Sequence, residues 1–135
     1  KNIPLNINIS HKDNFGFGVL SKFKNLNVGI DVELKKNGYS LYIMKHMYSS
    51  NSEFNFINKK IKNHELTSTL MFCIKESVFK AVKTLPENVS SLLKLRIVYL
   101  EPITKKYIVK TLCNKRIYGI IMNFNEYLIC VSYLR

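Results

Sequence analysis

The feature that most constrains the fold is the alternation of aliphatic and other residues at positions 28–33, which read Val-Gly-Ile-Asp-Val-Glu. Successive side chains of an extended strand point to opposite faces, so the aliphatic residues share one face and Asp31 and Glu33 share the other. Two neighbouring carboxylates repel each other unless positive charge lies between them. The pattern leaves two interpretations open: a half-buried strand with a solvated outer face, or a pair of oxygen ligands for a hard cation such as Mg²⁺.

Other alternating runs lie on both sides of this strand. Two precede it and four follow it, at residues 5–9, 15–19, 94–99, 107–111, 117–123 and 127–133. Residues 65–85 repeat apolar side chains at helical spacing, which predicts a central helix closed by Pro86 and Asn88. Residues 40–64 predict two shorter helices. Strands, then helices, then an antiparallel meander indicate an α+β fold, with an antiparallel sheet packed on the central helix.

Length and composition indicate one globular domain. The chain has 135 residues, of which 47% are hydrophobic, and this composition excludes a disordered chain. Its apolar runs are shorter than the 18 or more residues expected of a membrane span, which argues against a membrane protein. Three widely separated cysteines without a Cys-x-x-Cys pair argue against a disulfide framework, and they favour a reducing, cytoplasmic setting.

The charge of the chain predicts an anionic partner. There are 21 basic and 9 acidic residues, which gives a net charge of +12. The lysines are scattered, and neither an RNA-recognition motif nor a zinc-ligand spacing accompanies them. Nucleic acid is therefore permitted by the charge but is not indicated by a pattern. One candidate function is therefore a non-catalytic, basic nucleic-acid-binding module, with Tyr39 and Tyr42 as exposed aromatic residues.

Two further pairs of residues are candidates for chemistry. Glu76 and Lys80 are four residues apart on the predicted helix and so share a face. They form either an ordinary surface ion pair or a third oxygen ligand next to a phosphate contact. Ser10 and His11 lie where the first strand ends. Because adjacent strand residues point to opposite faces, a catalytic Ser–His pair is excluded, which leaves a phosphate contact or a strand-end cap.

Taken in order, three motifs resemble the 4′-phosphopantetheinyl transferases. They are Asn-Ile-Ser-His-Lys at residues 8–12, Val-Gly-Ile-Asp-Val-Glu at residues 28–33, and Phe-Cys-Ile-Lys-Glu-Ser-Val-Phe-Lys-Ala at residues 72–81. The motif order is similar to the Sfp/EntD (enterobactin-synthase) type rather than the short, trimeric holo-acyl-carrier-protein synthase type. The resemblance implies Mg²⁺-dependent transfer of 4′-phosphopantetheine from coenzyme A to a serine of an acyl, peptidyl or aryl carrier protein. Adenosine 3′,5′-bisphosphate would be released.

The resemblance also implies roles for individual residues. Three acids would bind the metal ion: Asp31, Glu33 and Glu76. Four residues would contact coenzyme A: Ser10, His11, Asp31 and Lys80. Two would be catalytic, with Glu76 helping to deprotonate the attacking serine and Lys80 binding phosphate. Lys75 belongs to the same motif, but the resemblance implies no definite role for it.

The resemblance carries an expectation about the rest of the protein. Full-length enzymes of this type are pseudo-dimers whose N-terminal half contacts the 3′-phosphate and adenine. This sequence begins at Lys1, just before the Ser-His motif, so we expect residues 1–135 to be a single transferase domain of a longer pseudo-dimeric chain. Otherwise a second copy would supply the missing surface. The carrier protein is expected to be acidic and to be steered by nearby lysines: Lys45, Lys59, Lys60 and Lys62.

Overall fold

The structure is a computed structural model that describes residues 5–36, 38–40, 44, 50–82 and 91–135. Several sequence-based predictions fall outside these residues. They concern most of the short helix around Leu41 and Tyr48, the side chains of Tyr42 and Lys45, and the end of the central helix at Pro86 and Asn88.

The strands of the described chain form two antiparallel sheets. A hairpin consists of β1 (Asn6–Lys12) and β2 (Phe15–Ser21). A five-stranded sheet consists of β3 (Asn27–Leu34), β4 (Arg96–Glu101), β5 (Lys106–Lys110), β6 (Arg116–Phe124) and β7 (Tyr127–Leu134). Its strand order is β3-β7-β6-β5-β4, so β3, which comes first along the chain, pairs with the last strand and forms one edge.

Two helices connect β3 to the meander in the described chain. Helix α1 (Asn51–Ile61) begins after Ser50, whose hydroxyl accepts a hydrogen bond from the Glu53 amide. It ends at Lys62, which adopts a left-handed conformation. Helix α2 (His64–Val82) follows at once, and the Asn63 side chain accepts a hydrogen bond from the amide of Leu66 in its first turn. Such side-chain caps satisfy amide groups that have no partner within the helix.

Helix α2 lies across one face of the five-stranded sheet, where the main core forms. Ile74 and Val78 of α2 are completely buried and share this core with Leu100, Ile117 and Cys130 of the strands. Removing a large apolar side chain from water stabilises a fold by about 1.5–3 kcal/mol. The predicted α+β architecture, an antiparallel sheet packed on a central helix, is therefore confirmed.

A glycine allows α2 to approach β3 closely. A Cβ atom at Gly29 would overlap the carbonyl oxygen of Ser77 and would lie 2.5 Å from the amide nitrogen of Ala81. Only glycine leaves room for backbone at such a position. Asp31 and Glu33 follow at two-residue intervals, so all three point to the α2 side of the strand.

The opposite face of β3 packs on the hairpin and forms a second, smaller core. Ile30 and Val32 are buried there with Ile129 of β7, and Phe17 and Val19 of β2 pack against them. Strand β3 is thus covered on both faces. The interpretation of residues 28–33 as a strand with a solvated outer face is wrong, because Asp31 and Glu33 are only 6% and 7% exposed.

Candidate active site

The hairpin is joined to the edge of β3 by side chains. Alternate residues of β1 each form a hydrogen bond or ion pair with β3 or with Leu26, the residue before it: Asn6, Asn8, Ser10 and Lys12. The side-chain oxygen of Asn8, for example, accepts a hydrogen bond from the amide of Ile30 at 3.0 Å. These contacts hold the polar side of β1 against the carboxylates of β3.

Asp31, Lys80 and Ser10 form the centre of the candidate site. The Nζ atom of Lys80 lies 2.7 Å from Oδ1 of Asp31, and it also donates to Ser10 Oγ at 3.2 Å and to the carbonyl oxygen of Ile30 at 3.1 Å. The hydroxyl of Ser10 donates to the same Asp31 oxygen at 3.2 Å. Lys80 of α2 and Ser10 of β1 therefore meet at a single carboxylate oxygen, which belongs to Asp31 of β3.

The second carboxylate oxygen of Asp31 is available for a further ligand. Oδ2 is buried and has no hydrogen-bond partner among the described residues. Burial raises the pKa of the Asp31 carboxyl, and the Lys80 ammonium opposes this shift. A buried carboxylate oxygen without a partner is unfavourable by itself, and a bound cation would satisfy it.

Glu33 lies two residues further along β3 and is paired with a different lysine. Its Oε2 atom is 2.9 Å from Nζ of Lys12, whose side chain is 29% exposed. The hydrogen bond to Glu33 is the main reason that the pKa of Lys12 is raised. The two carboxylates of β3 are thus neutralised separately, Asp31 by the helix and Glu33 by the hairpin.

Glu76 lies one helical turn before Lys80 and is half-buried. Burial is the largest cause that raises the pKa of its carboxyl, and the negative charge of Asp31 acts in the same direction. Glu33 adds a smaller contribution of the same sign, while Lys80 opposes them. Three acids are therefore close enough to influence one another, which is an arrangement that added positive charge would stabilise.

The structure brings together most, but not all, of the residues singled out in the sequence. Ser10, Asp31 and Lys80 are in direct contact, and Glu33 and Glu76 lie around them. His11 is exposed and, because β1 alternates, points away from Ser10. In the described part of the chain, no three acidic, histidine or cysteine side chains are arranged closely enough to hold a metal ion as they stand.

The donor set nevertheless fits a hard divalent cation. Carboxylate oxygens are the ligands that Mg²⁺ prefers, and such sites use one or two carboxylates together with water and substrate phosphates. The unpartnered Oδ2 of Asp31 is the oxygen best suited to this role. Lys80 already supplies positive charge at the same carboxylate, and it has the length and charge to contact a phosphate instead.

Sequence reasoning missed the partner of Lys75. This lysine is completely buried, and its Nζ atom lies 2.8 Å from Oε2 of Glu53 in α1. The other Glu53 oxygen accepts a hydrogen bond from the amide of Ile97 at 2.6 Å. A lysine within an apolar stretch of helix needs a buried acidic partner, so Lys75 itself was the signal in the sequence that such a partner exists. The pattern Ser50-x-x-Glu53 instead reads as an ordinary capping box.

A cluster of hydroxyl groups beneath α2 was also missed. Ser77, Tyr107 and Ser132 are each within 2.7–3.0 Å of the other two. All three are buried, so the cluster joins the helix to β5 and β7 by mutual hydrogen bonds. The residue after Glu76 is thereby tied to the sheet, which helps to hold the helix above Asp31.

Tyr39 does not provide the exposed aromatic surface predicted for a nucleic-acid-binding module. It is partly buried, and its ring lies 4.7 Å from the ring of Phe72 in α2. Its amide donates a hydrogen bond to Ser68. Burial raises the pKa of its hydroxyl far above the ordinary value. The prediction that Tyr39 is exposed is wrong, since the ring packs against the helix.

Comparisons with known proteins agree with this geometry. A family model described as the 4′-phosphopantetheinyl transferase superfamily matches residues 27–129, which is more than half of the chain. The matched segment includes both carboxylates of β3 and the whole of α2. A search of curated proteins finds no match. None of the described helices is both long and apolar enough to cross a membrane.

Proposed function

Because this chain belongs to the 4′-phosphopantetheinyl transferase superfamily, we propose that it transfers 4′-phosphopantetheine from coenzyme A to a serine of a carrier protein. The observation that carries the proposal is the contact of Lys80 and Ser10 with one oxygen of Asp31, while the other oxygen is buried without a partner. This arrangement combines a cation-binding carboxylate with two groups that bind phosphate. Both are needed to handle the pyrophosphate of coenzyme A.

The proposed metal ligands are Asp31, Glu33 and Glu76. A bound Mg²⁺ would neutralise the charge that develops on the phosphate oxygens during transfer. Asp31 and Glu33 lie on one strand face, and Glu76 of α2 is near enough for its carboxylate to interact with the charges of both. The interaction of their charges, visible in the raised pKa of Glu76, supports a shared cation.

Lys80 and Ser10 are proposed to orient the substrate. The Lys80 side chain is 27% exposed, so its ammonium is accessible from solvent while it is held by Asp31. Ser10 offers a hydroxyl in the same place. His11 lies on the other face of β1 and is exposed, so it would contact a different phosphate group of coenzyme A from the one that Ser10 contacts.

Glu76 is proposed to accept the proton of the attacking serine, directly or through water. A general base works best when its pKa is close to the pH of the reaction. Burial and the two carboxylates of β3 raise the Glu76 pKa from its ordinary value. In the protein without a bound metal ion, this shift brings the Glu76 pKa closer to neutral pH than that of an exposed glutamate.

The proposed protein substrate is an acidic acyl, peptidyl or aryl carrier protein. The net charge of +12 favours such a partner, and Lys59, Lys60 and Lys62 are exposed at the end of α1. Charge complementarity of this kind mainly accelerates the encounter. Reversal of these three charges should raise the Michaelis constant for the carrier and leave that for coenzyme A unchanged. An unchanged value for the carrier would remove these lysines from the docking surface.

Finer features of the proposal follow the motif order. We assign the chain to the Sfp/EntD type. Residues 1–135 would act as one transferase domain in the cytoplasm. If a second copy completes the coenzyme-binding surface, the protein would form an oligomer. The support is the Ser-His motif, whose Ser10 reaches Asp31 from a strand that precedes β3. The alternative, a basic module without catalysis, is the less favoured function, because Lys80 and the carboxylates form a polar site of their own.

The direct test is to incubate the protein with coenzyme A, Mg²⁺ and an apo-carrier protein, and to measure the mass of the carrier. We expect a mass gain of one phosphopantetheine group that requires Mg²⁺. Asp31→Ala and Glu76→Ala should each lower turnover by at least about 100-fold, comparable to the loss of a group that stabilises transition-state charge. Glu65→Gln, at an exposed acid of the same helix, is the matched control and should retain turnover.

Two results would contradict the proposal. If the carrier gains no mass, including with a chain extended by any N-terminal segment, the activity is wrong. If Asp31→Ala and Glu76→Ala both turn over normally while remaining folded by circular dichroism, the metal assignment is wrong.

A further inference from the structure

A pocket that is separate from the candidate active site lies on the face of the five-stranded sheet opposite α2. Ser132 contacts Ser77 of α2, so its neighbour Tyr133 points to the other face of β7. Tyr118 pairs directly with Tyr133 across the β6–β7 ladder and shares that face. The pocket formed beside these rings has a volume of about 750 Å³. It is separated from Asp31 by the sheet itself, so the proposed transferase site does not use it.

The rim of this pocket is positively charged. Three segments contribute cations: the loop before β3, the start of β6 and the residue after β7. These cations are Lys22, Lys24, Arg116 and Arg135. Among the described residues that line the pocket there is no acidic side chain, and none of the four cations forms an ion pair with an acidic side chain of the described residues. The pocket therefore favours an anion with several separated negative charges.

The floor and wall of the pocket carry aromatic rings. The rings of Tyr118 and Tyr133 are stacked, with centroids 6.0 Å apart and an angle of 25° between their planes. They are 41% and 39% exposed, and Phe23 on the adjacent loop is 70% exposed. A group of exposed aromatic rings that lie side by side is more informative than a single exposed apolar residue. They provide flat surfaces on which another planar group can stack.

We propose that this basic, aromatic pocket binds single-stranded nucleic acid. Base stacking on aromatic side chains, combined with a positively charged surface along the backbone, is how sequence-tolerant single-strand binding is achieved. An enclosed nucleotide site would bury most of its ligand. Here the rings and the cations are open to solvent. Such an open surface suits a polymer that is held by several weak contacts.

The proposal revises an expectation drawn from the sequence. Nucleic acid is an unlikely partner when judged by motifs, because the lysines are scattered along the chain. Residues 22–24, Arg116 and Arg135 are far apart in sequence. The pairing of β3 with β7 brings Arg135 beside the loop before β3, and the pairing of β6 with β7 brings Arg116 close to Arg135. The inference is independent of the transferase proposal, since it uses other residues on another face.

The test measures binding of the full chain to a fluorescein-labelled oligouridylate by anisotropy at several salt concentrations. The variant Lys22→Gln/Lys24→Gln should lower affinity about tenfold and reduce the slope of log affinity against log salt by about 1.4, since each single-strand phosphate contact contributes roughly 0.7. The matched control Lys105→Gln/Lys106→Gln removes the same charge from two exposed residues elsewhere, at the turn that leads into β5, and should change affinity less than about twofold.

The aromatic part of the proposal has its own pair of variants. Tyr118→Leu should lower affinity about tenfold without changing the salt slope, because stacking is lost and charge is kept. Tyr99→Leu, at an exposed ring of β4, should have no such effect. Circular dichroism melts of all four variants establish that each remains folded.

Three outcomes would overturn the proposal. The first is equal loss of affinity in the two lysine variants, which would mean that only net charge matters. The second is unchanged affinity in Tyr118→Leu. The third is competition by inorganic polyphosphate as strong as that by unlabelled oligouridylate, which would identify the pocket as a general anion site without base recognition.

Discussion

Two lysines of helix α2 form ion pairs of almost equal length in very different surroundings. Lys75 lies 2.8 Å from Glu53, and both side chains are almost completely buried, at 0% and 4% exposure. Lys80 lies 2.7 Å from Asp31, but its side chain is 27% exposed. The two lysines are only five positions apart on one helix, yet one ion pair is sealed from water and the other borders solvent.

The difference in burial indicates that the Lys75–Glu53 pair and the Lys80–Asp31 pair have different roles. Glu53 uses its second oxygen to accept the amide of Ile97, so the sealed pair ties α1, α2 and β4 together. Asp31 keeps its second oxygen without a partner among the described residues. The first pair is complete as a structural contact. The second is incomplete and can exchange one of its members for a ligand. Distance alone would not distinguish them.

The largest expected effect comes from breaking the sealed pair. Lys75→Met leaves the Glu53 carboxylate buried without its cation, and loss of one partner from a buried pair destabilises a protein by about 3–5 kcal/mol. The free energy of unfolding in urea should fall by that amount. Adding Glu53→Gln should recover part of the loss, because no buried charge then remains and the amide of Ile97 keeps an acceptor.

Lys80→Met is the matched control, because it removes the same charge from the same helix. Its unfolding free energy should fall by less, since water can reach the exposed side of the pair. If Lys75→Met is no more destabilising than Lys80→Met, the Lys75–Glu53 pair does not hold α1, α2 and β4 together.

An intermediate effect is expected on metal binding. Lys80 neutralises the carboxylate to which a cation would bind, so Lys80→Met should lower the thermal midpoint without Mg²⁺ and increase the rise in that midpoint when Mg²⁺ is added. The measurement is a pair of melting curves, with EDTA and with Mg²⁺. Lys106→Met, at an exposed lysine of β5, should respond to Mg²⁺ as the unsubstituted chain does. Equal responses in both variants would mean that Lys80 and the cation do not compete.

The smallest expected effect concerns the pH dependence of stability. Burial and nearby acids raise the pKa of Glu76 above its ordinary value of 4.5, so the folded state disfavours the ionised form. The chain therefore loses stability as the pH rises from that value through the raised pKa. Glu76→Gln removes this loss and should be more stable at neutral pH, by less than about 1 kcal/mol because the carboxyl is partly exposed.

The measurement is urea unfolding in metal-free buffer at neutral pH and at pH values below the ordinary Glu76 pKa. The advantage of Glu76→Gln should shrink as the pH falls, because the glutamate is then protonated in both the folded and the unfolded state. An advantage that is constant with pH would assign the effect to packing rather than to ionisation.

Much of the fold was predictable because its strands and central helix follow simple periodicities. The alternation at residues 28–33 predicted β3, and the helical spacing of Leu70, Ile74 and Val78 predicted α2. Asp31 and Lys80 were singled out by residue type and spacing, and the structure brings them into contact. Local patterns carry this information because a strand or a helix arranges its own side chains.

The remaining contacts were not predictable because they join segments that are distant in the chain. Glu53 reads as the acid of a capping box, and nothing local directs its carboxylate to Lys75. Nothing near Lys12 in the sequence predicts its partner, whereas in the structure it neutralises Glu33 from the neighbouring hairpin. Such pairings depend on how elements pack, and one sequence contains no direct record of packing.

The side-chain attachment of β1 to β3 has a consequence for register. Strands joined by a backbone ladder can slip by two residues and keep equivalent hydrogen bonds, because every peptide group is alike. The hairpin is instead positioned by four different side chains that alternate with Ile7, Ile9 and His11. Each of the four contacts one particular residue of β3 or Leu26 just before it. A slip of one residue would present Ile9 or His11 to Asp31 in place of Ser10, and a slip of two would present Asn8 or Lys12. The contacts of β1 with Asp31 and Glu33 therefore select a single register for the hairpin.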